Sequence, residues 1–279
     1  MVFTATATKC QLAVTIETGV RLIKKPDIMK HAVLLLNLLF GMTAILPAQE
    51  WKNYPSDSLK IIYIREQSKS RIETFFGMGF RYKFFVRIHG SRSSFENQLA
   101  EDWHEPGFKS ECWMVAAGSA PGMDLLSPAT WDTAACEHKS TDTATVRKLI
   151  QHELVHVYHG QWNKSPDFSE TSGLDWFVEG LATYVSGQLD SSRRKQVLDL
   201  IRQGKVPVSL DQFWTGNARY GLSGAMTEYI DRTYGRQLFL ELLPLTTKDE
   251  VLDKLNIKED HLIKDFISDW PGLSGFSIE

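Results

Sequence analysis

The spacing of apolar residues changes character midway along this chain. Before residue 140 they come in short runs rich in β-branched and aromatic side chains: "LKIIYIRE" at 59–66, "RYKFFVRIHG" at 81–90, and "CWMVAAGSAPGMDLLSP" at 112–128. The first two read as strands, and the third, punctuated by Gly118, Pro121, Gly122 and Pro128, as two strands in a hairpin-like arrangement. From Thr141 the period becomes 3.6. In "STDTATVRKLIQHELVHVYHG", Val146, Ile150, Leu154 and Val157 fall on one side of a helix that has Ser140, Thr141 and Asp142 as N-cap candidates and Gly160 as its expected end. Helical patterns follow at 175–187, 191–203, 219–234, 236–243, 248–255 and 259–269. Strands first and helices after predict an α+β fold, a small N-terminal mixed sheet packed on a helical body. No repeat or linker divides 49–279, so it is read as one domain, mainly strands over 49–140 and mainly helices over 141–279.

The first 48 residues stand apart. Lys30 and His31 precede an apolar run from Ala32 to Leu46, followed by Pro47 and Ala48, which is the layout of a signal peptide over 29–48. The run is interrupted by Asn37, Gly41 and Thr43 and is shorter than the roughly 20 residues of a bilayer span. The expectation is therefore an exported chain, secreted or periplasmic, with no stable membrane insertion after cleavage. Residues 1–28 read as a non-native extension ahead of a start at Met29.

At 279 residues, 43% hydrophobic and 23% charged, the composition is that of an ordinary globular protein. Removing 1–48 takes away five basic and two acidic residues and moves the net charge from −3 to −6, which argues against a nucleic-acid partner. The one basic cluster, Arg193, Arg194 and Lys195, reads as a solvated helix face. Export favours a bridge between Cys112 and Cys136, with two separate buried thiols as the alternative.

The chemistry concentrates in "LIQHELVHVYHG". On a helix, His152 and His156 are about 40° apart around the axis and about 6 Å apart along it, so both imidazoles can reach one ion. Glu153 is turned about 100° from His152, within reach of a water on that ion without being a ligand. Spacing alone does not separate this from a helix that carries surface histidines. The context is "LDWFVEGLATYVSG" at 174–187, in which Phe177, Leu181, Tyr184 and Val185 keep helical spacing and Glu179 is followed by the small residues Gly180 and Ala182. A carboxylate there completes a His₂Glu zinc site with its fourth position open to water.

"HELVH" followed by "WFVEGLATY" resembles the gluzincin metallopeptidases, in particular the peptidase MA-like branch distantly related to aminopeptidase N. "WMVAAGSAPGMDLLSPATW" is similar to that branch's edge-strand region, and "ARYGLSGAMTEYIDRTYGRQLFLELL" to its downstream tyrosine-glycine segment. The resemblance implies a zincin-like catalytic domain that uses one Zn²⁺ to hydrolyse a peptide or protein substrate. His152, His156 and Glu179 would be the ligands, Glu153 the general base, and Tyr220 the oxyanion donor, with Tyr229 and Tyr234 as competitors. Two departures matter. Thr183 stands where many gluzincins have an acid that holds a zinc histidine, so Asp175 or a backbone carbonyl is expected in that role. "GAMTE" at 224–228 looks like an aminopeptidase motif but lies on the wrong side of the zinc motif, so aminopeptidase specificity is not carried over.

Two other hydrolase classes do not fit these residues. The metzincin extension fails at His159 and Trp162, and no G-x-S-x-G elbow supports a serine hydrolase. His159 is a candidate ligand, rim residue or second-sphere donor. The polar stretch 161–173 reads as a mobile rim over the cleft, and the aromatics between Trp103 and Trp131 as core rather than groove. A non-catalytic zinc-containing binding module, or a hydrolase of non-peptide amides or esters, remains the alternative function; oligomeric state is not legible.

Overall fold

A computed structural model of the protein describes residues 57–273, so the signal-peptide and extension readings lie outside the described residues. The first element differs from expectation. Residues 59–66 belong to helix α1 (Asp57–Phe76), not to a strand. Its buried positions Ile61, Ile64, Ser68, Ile72 and Phe76 recur every three or four residues, a period that shows only when the window extends past "LKIIYIRE". The apolar side chains were recognised correctly, but their geometry was set by the longer pattern.

Strand β1 (Phe85–His89), helix α2 (Arg92–Asp102), strands β2 (Ala116–Ser119) and β3 (Gly122–Leu126), and a short helix α3 (Trp131–Ala134) follow. The sheet order is β1-β3-β2, with β1 parallel and β2 antiparallel to β3. The β2–β3 pair is the expected hairpin, and β2 is an edge strand of that sheet. Strands are thus fewer over 57–140 than the sequence suggested, because α1 and α2 occupy much of that stretch.

The helical half matches its pattern closely: α4 (Thr143–Trp162), α5 (Asp175–Val185), α6 (Ser191–Arg202), α7 (Arg219–Tyr234), α8 (Arg236–Leu240), α9 (Lys248–Leu255) and α10 (Glu259–Leu273). Asp142 caps α4, its carboxylate accepting from the Thr145 amide at 3.0 Å. Gly160 does not end α4, which runs one half-turn further. A Cβ there would lie 2.5 Å from the Pro166 carbonyl oxygen and 2.8 Å from the Ala120 amide, so glycine permits a close crossing rather than a stop.

The sheet lies against α4, which α1 flanks through stacked rings of Phe76 and Tyr158, centroids 4.3 Å apart. On its other side α4 meets α5, which packs tightly on α7. Any side chain at Gly180 would strike Ser223 and Thr227 at 2.4 Å, and one at Gly224 would strike Thr183 at 2.8 Å. Trp131, Trp176 and Trp270 are fully buried in the core. Among the described residues no helix is long and apolar enough to cross a membrane. The architecture is α+β, a small mixed sheet on a helical body.

Candidate metal centre and its cleft

His152 and His156 occupy successive turns of α4, and Glu179 projects from α5 beside them. His152 Nε2 and His156 Nε2 are 3.1 Å apart, and Glu179 Oε2 lies 3.3 Å from the first and 3.6 Å from the second. Donors each about 2.0–2.1 Å from a tetrahedral zinc ion lie about 3.3 Å from one another, so this triangle has the dimensions of three corners of such a site. Two facing imidazole nitrogens at that distance also need a proton or a cation between them. Electrostatics agree. Burial pushes Glu179 up, but the charge of His156 and the hydrogen bonds from both histidines outweigh it and hold the carboxyl well below the usual range. Burial lowers His156, yet Glu179 more than compensates and raises it. Both groups favour positive charge at one point, and the donor set fits Zn²⁺.

Glu153 follows His152 directly on α4, and its carboxyl is turned toward the Gly118 amide of β2. Burial raises its pKa most, against the lowering pull of His152 and His156. Tyr220, the second residue of α7, has its ring centroid 6.2 Å from that of His152 and lines the cleft. Tyr229 packs on Phe266 in the core, and Tyr234 stands at the far end of α7, about 21 Å along the axis. Burial, then Glu179, pushes Tyr220 up to about 12, so its phenol keeps its proton at neutral pH.

His159 turns away from the triangle. Its Nε2 bonds to the Leu243 carbonyl oxygen at 3.1 Å, and burial pushes its pKa down to about 3, which marks a neutral core histidine. The expected support for a ligand histidine is not found: His152 Nδ1 and Thr183 Oγ1 are both buried with no hydrogen-bond partner among the described residues, and Asp175 makes no bond to either. Glu228, of "GAMTE", is spoken for by Arg194, Arg232 and Trp270 Nε1 and is 1% exposed, which removes it from any role in gripping a substrate amine.

The stretch 161–173 forms part of the rim, but it is pinned rather than loose. Asn163 Nδ2 donates to the Leu243 and Leu245 carbonyls at 2.8 Å, the Ala120 amide bonds to Pro166, and Ser172 bridges to Thr247. Within it Phe168 adopts φ 63°, rare for a bulky residue, and presents its ring to His156 and His159. The opposite wall is Trp113 to Gly118. Cys112 and Cys136 form a disulfide at its base, and Arg92 donates to the carbonyls of Glu111, Cys112, Met114 and Ala134. Of the aromatics assigned to core, Trp131 is buried, whereas Trp113 lines the cleft.

Two connected pockets make up this cleft. One of 310 Å³ holds the triangle, Asp175 and Phe168; the other, 420 Å³, shares His152, Glu153 and Tyr220 with it and extends to Arg193 and Arg219. The basic cluster is therefore not one solvated face. Arg194 is 16% exposed and paired with Glu228, Arg193 lines the pocket, and only Lys195, 74% exposed, points to solvent. The signal available beforehand was that the three arms of a helix cannot share a face at consecutive positions.

No curated protein and no solved structure matches this chain. Residues 132–234 match the peptidase M9 family, described as collagenase, rather than the aminopeptidase-related branch that the motifs resemble. That span, little more than a third of the chain, contains His152, Glu153, His156, Glu179 and Tyr220, and the match supports a zinc metallopeptidase.

Proposed function

We propose that this protein is an exported metallopeptidase of the gluzincin kind, in which His152, His156 and Glu179 hold one zinc ion and Glu153 is the general base. The observation that carries the reading is the donor triangle of 3.1, 3.3 and 3.6 Å with a second carboxylate, Glu153, alongside that is not part of it. When bound, zinc supplies Lewis acidity that makes water easier to deprotonate and a carbonyl easier to attack. Glu153 accepts the proton of the attacking water and returns it to the leaving amine. Burial raises its affinity for that proton, which suits a group that must take it up and pass it on. Tyr220 donates its hydroxyl hydrogen to the oxygen that gains charge at the scissile carbonyl. β2, an edge strand within the sheet, offers backbone groups to an extended peptide beside Glu153.

The leader over 29–48 and the disulfide both suit export. The test is peptide cleavage by the purified chain with chelator, then with Zn²⁺ restored, together with metal analysis of variants. Cleavage should stop and return, Glu153→Gln should keep about one zinc per chain and lose nearly all turnover, and His156→Ala should lose the metal. Turnover by Glu153→Gln at the wild-type rate would remove the general-base role.

A further inference from the structure

The end of the cleft beyond Glu153 is walled by two arginines that form no ion pair among the described residues; Asp190, which accepts from the Arg193 amide, meets the Arg193 charge only at longer range. Arg193 of α6 donates Nη1 to the Gln188 carbonyl at 2.6 Å, and its guanidinium carbon lies 5.5 Å from the Tyr220 ring centroid. Arg219, the first residue of α7, lies 5.4 Å from the Trp113 ring, 5.2 Å from Trp214 and 5.4 Å from Tyr220. Neither makes an ion pair, whereas Arg194, next in sequence to Arg193, is fully engaged with Glu228. Rings, the Gln188 carbonyl and, for Arg219, a hydrogen bond to the Tyr220 hydroxyl orient these guanidiniums but leave other N–H groups for a ligand.

The placement of Arg219 runs against local stability. A cation in the first turn meets the positive end of the helix dipole, and Ala218 at the cap offers no side-chain acceptor to the first amides. Unfavourable local choices of this kind concentrate where function requires them. The carboxylates lining this pocket are Glu153, already assigned as base, and Glu137, which is exposed and forms no ion pair. A chamber of 420 Å³ that opens onto the metal triangle and is ringed by two arginines outside any ion pair, an uncapped helix start and the Trp113 ring selects an anion that is part of the substrate.

We propose that this pocket binds a carboxylate of the peptide substrate close to the scissile bond, either its free C-terminus or an acidic side chain. The inference rests on the peptidase reading above and names the substrate class for that site. Arginine forks suit planar carboxylates, and the same chemistry serves both sources.

The test uses the zinc-loaded full chain and two pairs of acetylated peptides. The first pair differs only in a free or amidated C-terminus placed within two residues of the cleaved bond; the second, amidated throughout, differs only in Glu or Gln flanking it. The acid member of at least one pair should be cleaved with kcat/KM higher by about tenfold or more, mainly through KM. Preference in the first pair assigns the terminal carboxylate, and preference in the second the acidic side chain. The ratio should fall towards one in Arg193→Gln and Arg219→Gln, and shrink as salt is raised towards about 1 M. Arg219 supports three aromatic rings, so Arg219→Lys is read beside it and should keep part of the preference. Equal cleavage within both pairs overturns the proposal and leaves the peptidase standing. Binding of the same pairs to chelator-stripped protein, followed by tryptophan fluorescence, separates the two readings. Acid peptides should bind about tenfold tighter even without turnover, and equal affinities overturn the pocket assignment whether or not the loaded protein hydrolyses anything.

Discussion

Gly118 of β2 lies directly against the backbone of Glu153: a Cβ added to it would sit 2.4 Å from the Glu153 carbonyl oxygen, and the Gly118 amide faces the Glu153 carboxyl. The missing side chain lets the strand edge and the Glu153 turn of α4 touch. Gly118→Ala should therefore push strand and helix apart, costing about 1–3 kcal/mol of stability. It should also lower kcat/KM by about tenfold or more through displacement of Glu153, with zinc content unchanged. Urea unfolding, metal analysis and peptide turnover on one preparation check this; wild-type kinetics in a destabilised variant would show that the contact serves packing alone.

Tyr220 touches the cleft through its ring and hydroxyl, while Trp214 packs edge-on against it at 4.8 Å between centroids. Tyr220→Phe keeps that packing and removes one donor, so kcat should drop about 100-fold while zinc content and thermal midpoint stay at wild-type values. Because burial pushes the phenol up to about 12, the wild-type rate should show no loss from Tyr220 ionisation up to about pH 10. A variant that turns over like wild type would transfer the donor role elsewhere.

Asp142 caps the helix that presents both histidines. Asp142→Ala should cost about 1 kcal/mol in urea unfolding at pH 7. Hydrogen bonds from the Thr145 amide and hydroxyl hold the Asp142 carboxyl below its ordinary 3.8. A folded value below the unfolded one means that the stabilisation is complete above about pH 4 and is lost as pH falls through the folded value. The gap between wild type and variant should thus close below about pH 4, and a gap independent of pH would argue against the charged cap.

The wall from Trp113 to Gly118 depends on Arg92 and on the Cys112–Cys136 link, which closes a loop of 24 residues. Replacing both cysteines with serine should lower stability by about 3 kcal/mol. Arg92→Ala should cost a further 2 kcal/mol or so, because it removes charged hydrogen bonds to the part-buried Met114 and Ala134 carbonyls at once. Differential unfolding of the single and combined variants measures both, and the two losses should fall short of additive, since they restrain the same segment.

The helices that carry the donor triangle were readable because their stripes are long: Val146 to Val157 on α4 and Phe177 to Val185 on α5 repeat through several turns. Residues 59–66 look like a strand because Ile61, Ile62, Tyr63 and Ile64 suit one, while the burial of Ile72 and Phe76 that makes them helical lies further on. Gly160 reads as a stop because a helix-ending glycine and a close-packing one look alike in sequence; which it is depends on Pro166 and Ala120 arriving from elsewhere. The pinning of 163–172 was equally hidden, since it rests on the Leu243, Leu245 and Thr247 backbone some 80 residues away. The triangle could be inferred from one helix motif and a later glutamate. The arginine chamber could not, because Arg193 and Arg219 converge only once α6 and α7 are packed.

Both banks of the cleft are fastened before anything enters it, one by Asn163 and the Ser172 bridge, the other by Arg92 and a covalent link. The entropy lost on docking then falls almost wholly on the incoming polypeptide. Segments that are already stretched out should outcompete floppy ones of identical sequence, and tightly folded loops, which cannot straighten into a fixed channel, should be passed over until they come undone.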